Sequence, residues 1–212
     1  MAWFEGIPTS REDFEALMGC LFADRRLPEM GFEGRFFGML KTLVYHKPMI
    51  LQYERRAADR AFFVARGFVF AFFYNGDQEV VPFRIFREGE LALIPEGIKE
   101  NVASGYGLMV CADTRLLEVG FEQIRELYLA FPWFLNAVLR VVAGSFGADL
   151  DKSWMMALGN RESIRRFYEL YGELYGNTVF QFRDMYIARF LNMNPVTFSK
   201  LRREIFPAYP LR

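Results

Sequence analysis

The stretch from Lys47 to Leu93, KPMILQYERRAADRAFFVARGFVFAFFYNGDQEVVPFRIFREGELAL, decides what kind of domain this chain builds. It falls into short runs rich in Phe, Val, Ile and Tyr, separated by Asn75-Gly76-Asp77 and Glu88-Gly89. Side chains alternate across a strand, so such runs bounded by turn residues read as strands, and Asn-Gly between two of them reads as a hairpin. The same texture reaches back to Leu43 and on to Val119 through YGLMVCA and RLLEV, with Pro95-Glu96-Gly97 and Ala112-Asp113 as further turns. Strands spaced roughly ten residues apart predict an antiparallel sandwich or barrel. The aromatics Phe62, Phe63, Phe68, Phe70, Phe72, Phe73 and Tyr74 cannot all face one interior. Either they line an apolar effector pocket, or both faces of the sheet are buried, the second under a long helix or a partner subunit; core or interface is the preferred reading.

On both sides of the strands the pattern is helical. REDFEALMGCLFA, Arg11 to Ala23, spaces its apolar residues three and four apart behind Ser10, a cap residue. GFEQIRELYLAF gives a short helix from Phe121, and Pro132 suits the first turn of a long one through WFLNAVLRVVAGSFGADLDKSWMMAL. In that helix Leu135, Leu139, Val142, Phe146 and Leu150 form a stripe able to pack on a symmetry mate. Gly159-Asn160 breaks it, RESIRRFYELYGELYG begins another helix, and FRDMYIARFLNMNPVTFSKLRREIF reads as two short helices hinged at Asn192-Met193-Asn194. The expected organisation is α+β: a β domain over 1–131, a long helix over 132–158 and a small basic helical domain with a hinged helix pair over 159–212.

The chain has 212 residues, 52% hydrophobic and 25% charged, which belongs to a globular protein, and its formal net charge is zero. That zero hides an asymmetry. From Asn160 onward there are nine Lys and Arg against five Asp and Glu, so this quarter carries +4 and the remainder −4. A basic end of that kind suggests a polyanionic partner. The N-terminus lacks a signal pattern and no uncharged apolar run reaches the roughly 18 residues of a membrane span, so a cytoplasmic location is expected. Cys20 and Cys111 are too few for an iron–sulfur cluster and are expected to be structural thiols. His46 is the single histidine; no metal site and no catalytic set can be assembled around it, and no enzyme activity is expected.

In the hinged pair, Ala188 is the small residue a helix-turn-helix needs where its helices meet, and Ile187, Leu191, Met193, Phe198 and Leu201 supply the inner faces. Asn194, Thr197, Ser199, Lys200, Arg202 and Arg203 are then left for DNA, since a helix in the major groove reads guanine with Lys or Arg and holds phosphates with basic and hydroxyl groups. Alternatively this is an ordinary helical hairpin with a solvated basic end. A second signal is FREGELALIPEGIKENVA, in which a carboxylate, a turn and a cation follow one another.

Taken together, the Lys47–Leu93 stretch resembles the cyclic-nucleotide-binding β-roll, a double-stranded β-helix, of the Crp/Fnr family of bacterial transcription regulators. IARFLNMNPVTFSKLRR is similar to that family's DNA-reading unit, a winged helix or helix-turn-helix. The resemblance, from about Tyr45 to Lys200, implies a homodimer whose long helices pair, double-stranded DNA as partner, and an effector bound beside Gly89, Glu90, Leu91, Ala92, Lys99 and Glu100. Glu90 matches the family's ribose-binding glutamate. Lys99 stands where a phosphate-binding arginine would be, and Glu100 puts a carboxylate where a small residue is usual. A lysine lacks the two-pronged bond of arginine and the carboxylate repels a cyclic phosphate, so cyclic AMP or GMP is not expected to bind, no cofactor is expected, and the effector is unknown. Val196 stands where family members place a glutamate, while Lys200 matches the second base-reading arginine. The competing reading is a module of the same fold that acts through a partner protein.

Overall fold

Two antiparallel sheets face each other, and each buries its outer face under helices. In this computed structural model residues 3–22, 30–98, 102–172 and 183–207 are described. The strands are β1 (Phe4–Ile7), β2 (Lys41–Tyr45), β3 (Met49–Gln52), β4 (Arg60–Arg66), β5 (Val69–Tyr74), β6 (Val80–Phe86), β7 (Leu91–Leu93), β8 (Gly107–Val110) and β9 (Thr114–Gly120). The helices are α1 (Arg11–Leu21), α2 (Phe32–Met39), α3 (Phe121–Ala130), α4 (Phe134–Ala157), α5 (Asn160–Leu170), α6 (Asp184–Phe190) and α7 (Pro195–Ile205). One sheet runs β1-β2-β9-β4-β7 and the other β3-β8-β5-β6, the arrangement of a β-roll. No helix is long and apolar enough to cross a membrane among the described residues.

The two-residue period of a strand sorts the aromatics. Phe62 and Val64 of β4, Val69 and Ala71 of β5, and Leu108 and Val110 of β8 point into the roll and fill it together with Tyr45, Phe86 and Ile94. Ala61 and Phe63 point the other way, to a layer made by α1, α2 and the start of α4. Phe68, Phe70 and Phe72 form the outer face of the second sheet. The expected cover for that face was the long helix or a partner subunit. Instead it lies mostly under the C-terminal helices, with Ile164, Phe167, Ile187, Phe190 and Phe198 in one continuous cluster and α4 contributing Met155.

Local signals act largely as read. Ser10 Oγ accepts a hydrogen bond from the Asp13 amide at 3.0 Å and caps α1. The β5–β6 hairpin expected at Asn75-Gly76 is present and closes over Asn75 to Glu79: Asn75 Oδ1 accepts from the amides of Asp77 (3.0 Å) and Glu79 (2.9 Å). Gln78, not Gly76, takes the left-handed conformation, at φ 58°. Pro132 precedes α4, its carbonyl accepting from Leu135 N at 3.2 Å. No strand of a wing is present among the described residues of the C-terminal unit.

A 3₁₀ turn at Pro95–Ile98 follows β7. A Cβ on Gly97 would lie 2.4 Å from Phe121 Cε2 and 2.6 Å from the Ala58 carbonyl oxygen, so the turn can sit here only with glycine. Gly97→Ala is therefore expected to destabilise the fold by about 1–3 kcal/mol in urea unfolding, the usual cost of overpacking.

Candidate DNA-binding surface and effector cleft

The C-terminal unit is built on α5, α6 and α7. Ala188 is fully buried where α6 meets α7, and Ile187, Leu191, Met193 and Phe198 are buried beside it, with Leu201 packed at the margin. The turn is tight because Asn192 adopts a left-handed conformation (φ 53°) and Met193 N donates to the Ala188 carbonyl at 2.8 Å. Asn194 Oδ1 accepts from Val196 N at 2.9 Å, capping α7 ahead of Pro195 in its first turn.

The predicted DNA-facing residues separate into two groups. Thr197, Lys200 and Arg203 are exposed, Ser199 is half-buried, and Val196, 78% exposed, shares their side of α7. Among the described residues neither Lys200 nor Arg203 has an ion-pair partner. Arg202 is different: its guanidinium pairs with Asp184 and lies 6.0 Å from the Phe198 ring centroid, so it ties α7 to the start of α6. Asn194 likewise has its side-chain oxygen engaged in the cap.

This unit is held on the roll by polar contacts as well as by the shared core. Arg189 of α6 donates to the Val80 carbonyl at 3.0 Å and pairs with Glu79 in the β5–β6 turn. Arg87 donates to the Leu170 carbonyl at 2.8 Å and lies over the Tyr171 ring. Lys152 of α4 sits 4.6 Å over the Phe190 ring. On the opposite side of α4, Leu139 (56%) and Leu150 (59%) are exposed, as is Leu135. Val142 and Phe146, the other members of the predicted stripe, have side chains outside the described set. Trp154, 70% exposed and four residues beyond Leu150, extends the stripe and was missed, although its spacing carries the signal.

At the predicted effector position Gly89 turns the chain with φ 85°, and its amide donates to the Val64 carbonyl at 2.9 Å. Ala92 points into the filled roll, whereas Leu91 joins the outer helical layer. Glu90 is engaged: its carboxylate accepts from the Arg87 amide at 3.2 Å and from the Arg87 guanidinium at 3.5 Å. Lys99 and Glu100 lie outside the described residues. Beside Glu90 opens a cleft of about 350 Å³ between β6, α4 and the end of α5.

Burial pushes the Cys111 thiol well above its ordinary range, and burial followed by the Glu90 charge raises that of Cys20, as befits packing rather than reactive thiols. His46 lies at the surface, 3.5 Å from Glu5 and 3.9 Å from Asp113. Among the described residues no cluster of His, Cys, Asp and Glu is placed to hold a metal ion.

The fold is shared with solved structures that include a cyclic nucleotide-binding domain and a protein assigned to the Crp/Fnr family of transcriptional regulators. Among solved structures, FixK2 from Bradyrhizobium japonicum superposes with a TM-score of 0.66 at 13% identity, covering 79% of this chain and 85% of that one. CLP, the c-di-GMP responsive global regulator of Xanthomonas campestris, gives 0.62 at 16%, covering 84% and 91%. A cyclic nucleotide-binding domain from Methylobacillus flagellatus gives 0.60 at 11%, covering 74% and 91%. No protein-family model and no curated protein matches the sequence.

Proposed function

We propose that this chain is a dimeric, DNA-binding transcription regulator of the Crp/Fnr type, with a sensor roll over 1–131, a dimerising helix over 132–158 and a DNA-reading unit over 159–212. The observation that carries this reading is the outer face of α7. Val196, Lys200 and Arg203 recur at intervals of four and three residues, which places them on one side of a helix, and both cations are exposed and unpaired among the described residues. In the major groove Lys200 bonds a base edge, while Thr197, Ser199 and Arg203 hold phosphates. Asn194 and Arg202 serve by fixing the start and the pitch of α7, through the cap and the Asp184 pair.

Selection of bound DNA from a random library tests this directly. The expected site is a near-palindrome with half-sites about 10 base pairs apart, because two recognition helices related by a two-fold axis enter successive major grooves. Lys200→Ala is expected to relax preference at one position per half-site, at a cost of about 1–3 kcal/mol against the correct base. Arg203→Ala should instead weaken all sequences alike and lower the salt slope by about one. If neither substitution changes DNA binding, the module acts through a protein partner, and the exposed Val196 belongs to that interface.

A further inference from the structure

We infer that Val196 selects thymine: its methyl groups pack on the 5-methyl group of one base in each half-site, one or two steps from the base that Lys200 contacts. This rests on the reading of α7 as the helix that enters the major groove. An α-helix turns about 100° per residue. Measured from Val196, Lys200 then lies about 40° to one side and Arg203 about 20° to the other, whereas Phe198 and Ile205, which pack on the cluster beneath, lie about 160–180° away. Val196 therefore occupies the middle of the outer face, and it is 78% exposed.

A valine in that place does little for the protomer. At such exposure it adds little packing, and a β-branched residue forms a helix less readily than alanine or glutamate. Its position is nevertheless fixed, because Asn194 Oδ1 accepts from the Val196 amide at 2.9 Å and Pro195 opens the helix. In a helix valine keeps one χ1 rotamer about 90% of the time, so its methyl groups face outward in one arrangement and lose little entropy on contact. An uncharged hydrocarbon side chain neither donates to guanine nor accepts from cytosine. The C5-methyl of thymine is the apolar group that a major-groove edge offers it. Lys200 stands four residues on, about 6 Å along the axis, against base steps of about 3.4 Å, which sets the distance between the two bases that are read.

The test uses the full chain and the duplex that the wild type selects from a random library, with each dT replaced in turn by dU at constant salt. Loss of one methyl contact is expected to weaken binding about fourfold at one position per half-site, and about fifteenfold when both half-sites are changed, with every other thymine indifferent. Val196→Ser should bind the dT and dU duplexes alike. Val196→Glu should select dC in that place, since a carboxylate accepts from cytosine N4. A dC substituted there for dT should regain about fourfold in wild-type affinity when it carries a 5-methyl group. Both variants should melt with the wild type, because the side chain is exposed. Selected sites without a thymine within two steps of the position that Lys200→Ala relaxes, dU tolerated at every thymine, or a dU effect that persists in Val196→Ser overturns the inference. Any of these, with Lys200→Ala still relaxing one base, leaves the DNA reading standing. If no duplex is bound at all, the DNA reading falls and this inference falls with it.

Discussion

Leu139→Glu combined with Leu150→Glu is expected to turn a dimer into a monomer and to lower affinity for a palindromic site by roughly 10²–10⁴. Both leucines are more than half exposed in the single chain, so the substitutions leave the protomer's own packing intact. In the proposed dimer each would face its symmetry mate, placing like charges inside an apolar seam, where an unpaired carboxylate is strongly disfavoured. The DNA effect follows from linkage of two reading units: once one is bound, the second binds at an effective concentration near millimolar, and that gain of about 10²–10⁴ disappears with the dimer. Light scattering measures the first consequence and a salt-matched binding titration the second. A double variant that stays dimeric, or a wild type that is monomeric at micromolar concentration, removes the basis for paired recognition helices. Trp154→Ala is a milder version of the same test, because its ring extends the stripe and is 70% exposed.

Much of the fold could be read because its signals are local. Alternation within β4 and β5, the cap at Ser10 and the small Ala188 each act over a few residues, and each does in the structure what its sequence context implies. The aromatic run shows where locality ends. Alternation separates Phe62 from Phe63 and implies two buried faces, yet nothing in the run says that the C-terminal helices cover Phe68, Phe70 and Phe72. The latch between Arg189 and Glu79 spans 110 positions and has no sequence signature. Arg202 is a different matter: it stands one helical turn after Phe198, so burial of the phenylalanine already places the arginine near the inner side, where Asp184 meets it. Glu90 and Arg87, three residues apart, could have been paired on the same kind of argument. Reading Arg202 and Glu90 as ligand-facing treats every polar residue of a motif as free. Lys99 and Glu100, on which the argument against a cyclic nucleotide rests, lie outside the described residues.

Phe190→Ala is expected to lower the melting temperature by roughly 6–20 °C and to split one unfolding transition into two. Phe190 is 1% exposed; its ring centroid lies 5.6 Å from that of Phe167 and 6.1 Å from that of Tyr171, and Lys152 covers it. Removing a fully buried phenylalanine ring costs about 3–5 kcal/mol, and for a chain of this size each kcal/mol corresponds to about 2–4 °C. The cluster it leaves is the one that also contains Phe68, Phe70 and Phe72 of the roll, with Tyr186 and Phe70 rings 5.4 Å apart. In the wild type this continuity predicts a single cooperative transition on scanning calorimetry, since the C-terminal helices cannot unfold without exposing the sheet. In the variant the roll keeps its own filled interior and its outer layer on the other sheet, neither of which Phe190 touches, so the C-terminal unit melts first. Lys200→Ala and Arg203→Ala, on the exposed face of α7, should leave the melting profile within about 0.5 kcal/mol of wild type, which separates loss of the reading unit's fold from loss of its contacts. Two transitions in the wild type would show that the docked arrangement is too weak to couple the halves, and a shift of under about 1 kcal/mol in Phe190→Ala would show that the ring is not part of a packed core.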